Sequence, residues 1–258
     1  MTEIFRYRDL VRALVARDLK VRYRRSTLGF VWTMLQPLLM MLVLRMVFST
    51  MFKAGPGDAL LNYPVYALAG ILFWNFFSQS IVTSMNSLRG NAQLLQKLPV
   101  PKAVFPLATV LSGVLNLLFA LVPLFLILIV THHPLTPALF FLPVSITLAA
   151  VFTLGAGLLL SPLAVFFSDT VELIGVLLTL LFYLTPVFYP KSIVPADKLW
   201  VVRFNPIRSI LEVFRDPIYY GKVPPLSHLA VSVSIAALAF GVGAWVFRRS
   251  SDRIPFYV

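Results

Sequence analysis

The residues of this chain that could do chemistry are few, and their spacing does not gather them. The histidines are His132, His133 and His228, and there is no cysteine. A structural or catalytic metal site needs several ligands converging on one point. His132-His133 has no carboxylate or third ligand at such a spacing, so the pair reads as part of a solvated loop and no metal ligand is assigned. Without cysteine, no disulfide or thiolate nucleophile is available. Gly221-Lys222 lacks the upstream glycine and the following Ser/Thr of a phosphate-binding loop, and Leu111-Ser112-Gly113 lies inside an apolar run. Asp169 and Glu172 sit at a turn between two apolar runs. A proton relay would want such carboxylates near a bilayer centre, and an enzyme would want acid, base or nucleophile groups to converge. Neither pattern is present, so no catalytic residue is assigned.

The elements that hold these residues are unusually apolar. Of 258 residues, 59% are hydrophobic and 12% charged, against roughly 45–50% and about 25% in soluble domains. A soluble fold could not hide that surface, so lipid is the solvent. The net charge of +12 then speaks for anionic lipid and membrane orientation rather than nucleic acid. A spanning helix needs about 20 apolar residues. Six runs qualify, at 28–52, 63–85, 104–130, 139–167, 171–189 and 226–247. The spacing predicts an all-α membrane protein of one domain, 1–258, since barrel-type alternation is absent.

Six spans leave both termini on one side. The arm before the first span (Arg6 to Arg25), the loop with Arg89, Lys97 and Lys102, and the tail with Arg248, Arg249 and Arg253 carry more basic residues than the opposite side. The positive-inside rule therefore puts both termini in the cytoplasm. Arg45, the main ionisable residue inside a span, is either functional or snorkels to the outer surface.

Two segments are neither span nor simple loop. In the arm, Leu10, Val11, Leu14, Val15 and Leu19 share one helical face, which Asp18 interrupts. This predicts an amphipathic interface helix within 1–26, either an orientation signal or a docking surface as well. Between the last two spans, 190–225 is long for a connection. Asn205-Pro206 is a helix start. Ile207, Ile210, Leu211, Phe214 and Ile218 then fall on one face, Arg208 and Glu212 pair at i,i+4, and Pro217 limits the helix. Together with the apolar piece 199–202 this predicts two short helices, dipping into the outer leaflet or lying flat on the surface. Aromatic residues cluster at Phe73, Trp74, Phe76 and Phe77 and again at Tyr183, Phe188 and Tyr189. Such rings can stack on sugar faces, and they also pack cores.

The order of these parts resembles the ABC-2 type permeases, especially exporters of O-antigen, capsular polysaccharide and teichoic acid. The likeness runs along essentially the whole chain. It is carried by Arg17-Asp18-Leu19-Lys20, Arg22-Tyr23, Leu28-Gly29, Trp32 and Gln36-Pro37, and by Asn91 to Leu95, Lys97, Pro99, Pro101 and Pro106. It is also carried by Phe73-Trp74-Asn75-Phe76-Phe77, and by Leu184-Thr185-Pro186, Tyr189-Pro190, Asn205-Pro206, Arg215 and Asp216. The resemblance implies a homodimeric channel with two ATPase subunits beneath it, ATP and Mg being bound by those partners and no cofactor by this chain. It implies a coupling helix in 88–102, with Asn91, Leu94, Leu95 and Lys97, joined by Arg22, Arg24 and Arg25, against the ATPase. It implies an aromatic path with Phe73, Trp74, Phe76, Phe77, Tyr183 and Tyr189, and an outer gate of two re-entrant helices with Asn205, Pro206, Arg215 and Asp216. The cargo it implies is a lipid-linked glycan leaving the bacterial inner membrane. A same-fold exporter of a drug or small lipid is the alternative.

Overall fold

The computed structural model describes residues 7–23, 31–48, 63–97, 100–191 and 194–257. Arg24, Arg25, Leu28-Gly29 and Pro99 lie outside them, as do the side chains of Arg22 and Arg45. Among the described residues there is no strand. The long helices are α1 (Arg8–Tyr23), α2 (Val31–Phe48), α3 (Tyr63–Gly90), α5 (Val104–Val130), α6 (Leu142–Phe166), α7 (Thr170–Leu184) and α10 (Leu226–Ser251), with shorter α4 (Ala92–Lys97), α8 (Leu199–Arg203) and α9 (Pro206–Arg215) between them. Among the described residues, four helical stretches are long and apolar enough to cross a membrane: Tyr63–Gly90, Val104–Val130, Pro137–Phe166 and Leu226–Ser251.

The expected fifth span ends early. Helix α7 stops at Leu184 and has 15 residues, short of the roughly 20 that a bilayer asks for. The cause is Pro186, which pushes its predecessor out of helical space. Thr185 duly sits at φ −99°, ψ 134°.

Helix α3 is the mast of the bundle. It packs against α5, α6, α2, α7 and α9, and its Phe73, Leu68, Ile81 and Met85 are almost fully buried. Helices α6 and α10 pack along one another and meet backbone to backbone, since a Cβ on Gly243 would strike the Gly155 carbonyl. In lipid, close approach through small residues replaces the missing hydrophobic drive between helices.

The amphipathic α1 turns its apolar face onto protein. Val11 and Leu14 are buried among Leu88, Leu95, Val104, Phe105 and Ile254. This cluster brings the start of the chain and its tail to one end of the bundle, where Lys102 Nζ also donates to the Ser251 carbonyl at 2.5 Å.

At the other end, Asn205 caps α9 as expected, accepting from Ile207 N at 3.0 Å. Ile207, Ile210, Leu211 and Phe214 are buried, against α3, α6 and α10. The apolar face thus meets the bundle itself. Pro217 does not end the winding. The chain widens into a π-helical turn, Asp216–Tyr220, because Pro217 has no N–H to return to Val213. That orphaned carbonyl accepts from Ser145 Oγ at 2.8 Å. Gly221, at φ 61°, closes the turn.

Candidate functional site

Along α3, the positions 75, 79, 83, 86 and 90 fall within an arc of about 80° at 3.6 residues per turn. They are Asn75, Gln79, Thr83, Asn86 and Gly90. An amide facing lipid loses hydrogen bonds that nothing there replaces, so this stripe needs polar surroundings. It lines a groove of about 820 Å³. The opposite wall is α5, with Ser112, Gly113 and Asn116, and α2 adds Trp32 and Gln36. Ser84 and Thr109 hydrogen-bond at 2.8 Å and tie the two main walls. A Cβ on Gly113 would collide with Ser80 Oγ, so a glycine lets α5 sit this close to α3.

The groove ends at α1. Arg17 donates through Nη1 to Asn91 Oδ1 at 2.7 Å, and through Nε and Nη2 to Asp18 Oδ1 at 3.2 and 3.0 Å. Asn91 in turn donates to the Ser87 carbonyl at 2.7 Å. Asp18, which breaks the apolar face of α1, is therefore the counter-ion that sets Arg17. Directly after Asn91 runs α4, with Leu95 buried, Leu94 partly buried and Lys97 exposed.

The aromatic residues divide. Phe73 and Phe77 belong to the core, Phe73 beside Phe214 at 5.8 Å and Phe77 stacked on Phe152 at 5.6 Å. Phe76 lines the groove. Trp74 lies 5.5 Å from Phe182, and both line a second cleft of about 550 Å³ with Tyr183, on the far side of Asn75 and Gln79. Tyr183 is 62% exposed, and its carbonyl accepts from the Tyr189 hydroxyl at 2.9 Å.

Asn205 and Arg215 belong to a clasp at the opposite end from α1, while Pro206 opens α9 and Asp216 follows its last residue. Arg215 is 2% exposed. It donates to the Pro186 and Val187 carbonyls at 2.9 and 2.5 Å and lies 3.9 Å above the Tyr66 ring. The Tyr63 and Tyr66 hydroxyls donate to the Phe188 and Tyr189 carbonyls at 2.9 and 3.1 Å. Asn205 Nδ2 reaches Thr185 Oγ1 at 2.8 Å. Gly70 is required here, since a Cβ would strike both Arg215 Nη2 and the Val187 carbonyl.

Glu212 collects Lys191, Arg208 at 2.7 Å and His228 at 3.3 Å. Burial works to raise its carboxyl, but hydrogen bonds from Arg208 and Lys191 outweigh burial and hold it below the usual value. Asp216, by contrast, is pushed up to about 6, first by burial and then by the Glu212 charge. His133 is not merely solvated, for its Nε2 lies 2.9 Å from the Tyr219 carbonyl and its ring stacks on Tyr219.

The structure thus brings Asn91, Leu94 and Leu95 together with α1, and sets Asn205 and Arg215 in one clasp. It buries Phe73, Trp74, Phe76 and Phe77 in one core, from which Phe76 also reaches the groove and Trp74 the cleft. Sequence reasoning missed the amide stripe, although its periodicity in an apolar run was readable. It also missed Arg17 as the partner of Asn91.

The sequence model of the ABC-2 type transporter family matches residues 9–219. An O-antigen export system permease protein RfbA of Myxococcus xanthus is 30% identical over 97% of this chain and 95% of its own. One from Klebsiella pneumoniae is 30% identical over 81% of this chain and 79% of its own. The polysialic acid transport protein KpsM of Escherichia coli is 24% identical over 93% of this chain and 94% of its own. With the match running from α1 through the groove to the π-helical turn, the chain belongs to the ABC-2 type transporter family.

Proposed function

We propose that the chain is the permease subunit of an ATP-driven exporter that carries a lipid-linked polysaccharide across the bacterial inner membrane. The observation that carries this reading is the likeness, over nearly the full length of both chains, to an O-antigen export permease. The polar groove supports it, because a glycan needs hydrogen-bonding surface inside a bilayer. In this reading two copies form the path, α2 and α7 complete six spans, and both termini face the cytoplasm. Helices α8 and α9 enter the outer leaflet as the gate. Two ATPase subunits bind ATP and Mg beneath α4, and their closure moves α4, Asn91 and the base of α3. Arg22, Arg24, Arg25 and Lys97 belong to that docking side.

Deleting the gene tests the proposal. Lipid-linked glycan accumulates inside the cells and surface glycan disappears, and an ATPase co-purifies with the intact chain in mild detergent. Normal surface glycan in the deletion strain would sink the proposal. Export of a drug or small lipid is the second reading. It shares the groove, and it gains if such a compound rather than the glycan stimulates ATP hydrolysis.

A further inference from the structure

We infer that the α3 groove is built for an uncharged, hydroxyl-rich glycan and not for a polyanionic one. The inference rests on the polysaccharide reading and narrows its cargo. Asn75, Gln79, Thr83 and Asn86 from α3 face Asn116 from α5. Amides and hydroxyls each offer both donors and acceptors, and a sugar hydroxyl uses both. These groups do not converge on one point. They repeat at helical spacing, and from 75 to 90 they extend about 22 Å at 1.5 Å per residue. A ladder of equivalent, individually weak contacts suits a repeating polymer in passage better than one held ligand.

Among the described residues, the element missing from the groove is free positive charge. Among the described residues of the wall, the cation is Arg17. Its Nε and Nη2 already hold Asp18 and its Nη1 already holds Asn91, so the pair adds no net charge. A carboxylate or phosphate entering such a groove gives up its hydration. It recovers that loss from a cation or a charge-assisted hydrogen bond. Neutral amides compensate a hydroxyl and fall well short for an anion. The chain does not lack cations, with a net charge of +12; Arg248, Arg249, Arg253 and Lys97 are simply placed off the groove.

Opposite substitutions at one wall position test this in the intact complex in its own host. Gln79→Leu removes the amide. Gln79→Glu keeps acceptors for sugar hydroxyls and adds a negative charge. Surface glycan is measured per amount of complex that elutes as a single folded species. For a neutral glycan, Gln79→Leu loses at least about fivefold, the scale of one hydrogen bond, while Gln79→Glu keeps more export than Gln79→Leu. Equal export by the two variants, or the reverse order, overturns the inference. The glycan accumulating in deletion cells is then analysed. A neutral repeat supports the inference. A uronate-, sialate- or phosphate-bearing repeat overturns it and leaves the polysaccharide reading standing, whereas no accumulated glycan overturns both.

Discussion

Arg17 and Asn91, 74 residues apart, share a 2.7 Å hydrogen bond that joins α1 to the first residue before α4. It is the one side-chain hydrogen bond described between α1 and the rest of the bundle. Apolar contacts through Val11 and Leu14 also join α1 to the bundle, in a cluster that includes Leu95 of α4. The pair thus ties α1 to the segment that the proposed function makes the coupling route, at the end of the groove.

Arg17→Ala and Asn91→Ala should each lower export while leaving ATP hydrolysis by the reconstituted complex largely intact. The double variant should be no worse than the worse single. The coupling energy should be about 1 kcal/mol, low for a charged hydrogen bond because Arg17 is nearly half exposed. Simple additivity would mean that the bond does not link the two elements.

A proline in α4 should uncouple the motor. Gln96→Pro removes a helical N–H and costs about 3 kcal/mol of local helix stability. Gln96 is exposed, so the bundle should fold and the ATPase should still co-purify. Surface glycan should fall severalfold, and hydrolysis should no longer respond to cargo. Unchanged export would remove α4 from the coupling route.

The outer clasp should be the least forgiving region. Gly70→Ala drives a methyl into Arg215 and a backbone carbonyl, and Arg215→Met strips two carbonyls of their donors. Each should cost about 3 kcal/mol or more, read as an early loss of the single folded peak on heating in detergent. The conservative Arg215→Lys should also destabilise, because an ammonium cannot reproduce the two-pronged contact.

Asp216 should make stability depend on pH in one window. Its carboxyl is raised from 3.8 to about 6, so between those values the folded chain binds a proton that the unfolded chain has released. Stability from this group is full below the lower value and falls as pH rises to the upper. Asp216→Asn should match the parent near pH 4 and exceed it above about pH 6. Thermal unfolding across that range checks the sign, and a variant that lost stability at high pH would refute it.

Phe77→Ala and Trp74→Ala should both unfold more readily than the parent. Phe77 stacks inside the core, where removing a ring costs about 3–5 kcal/mol. Trp74, 6% exposed, belongs to the same core and also borders the second cleft. Comparing both variants by thermal unfolding and by export separates packing from passage.

How much of this was readable follows from the range of the interactions. Four of the six apolar runs, the Asn205-Pro206 helix start and the α1 face are local patterns that survive into the structure. The α7 end is also local: Pro186 stands inside the apolar run 171–189, and the helix stops at Leu184. The clasp was not readable, since Tyr63 meets the Phe188 carbonyl 125 residues away. The same holds for His228 beside Glu212, which no spacing announces. The amide stripe was legible in principle. Asn75 stands among aromatic rings, which mask the polar period of its helix.

The clasp has a mechanical consequence. Pro186, Val187, Phe188 and Tyr189 present four successive carbonyls, and each is held by a side chain of Arg215, Tyr63 or Tyr66. Releasing one donor leaves three, so the segment cannot unzip residue by residue as a strand does. It behaves as a riveted plate: the ends of α3, α7 and α9 travel together, and any opening at this end of the molecule must hinge beside the plate rather than through it.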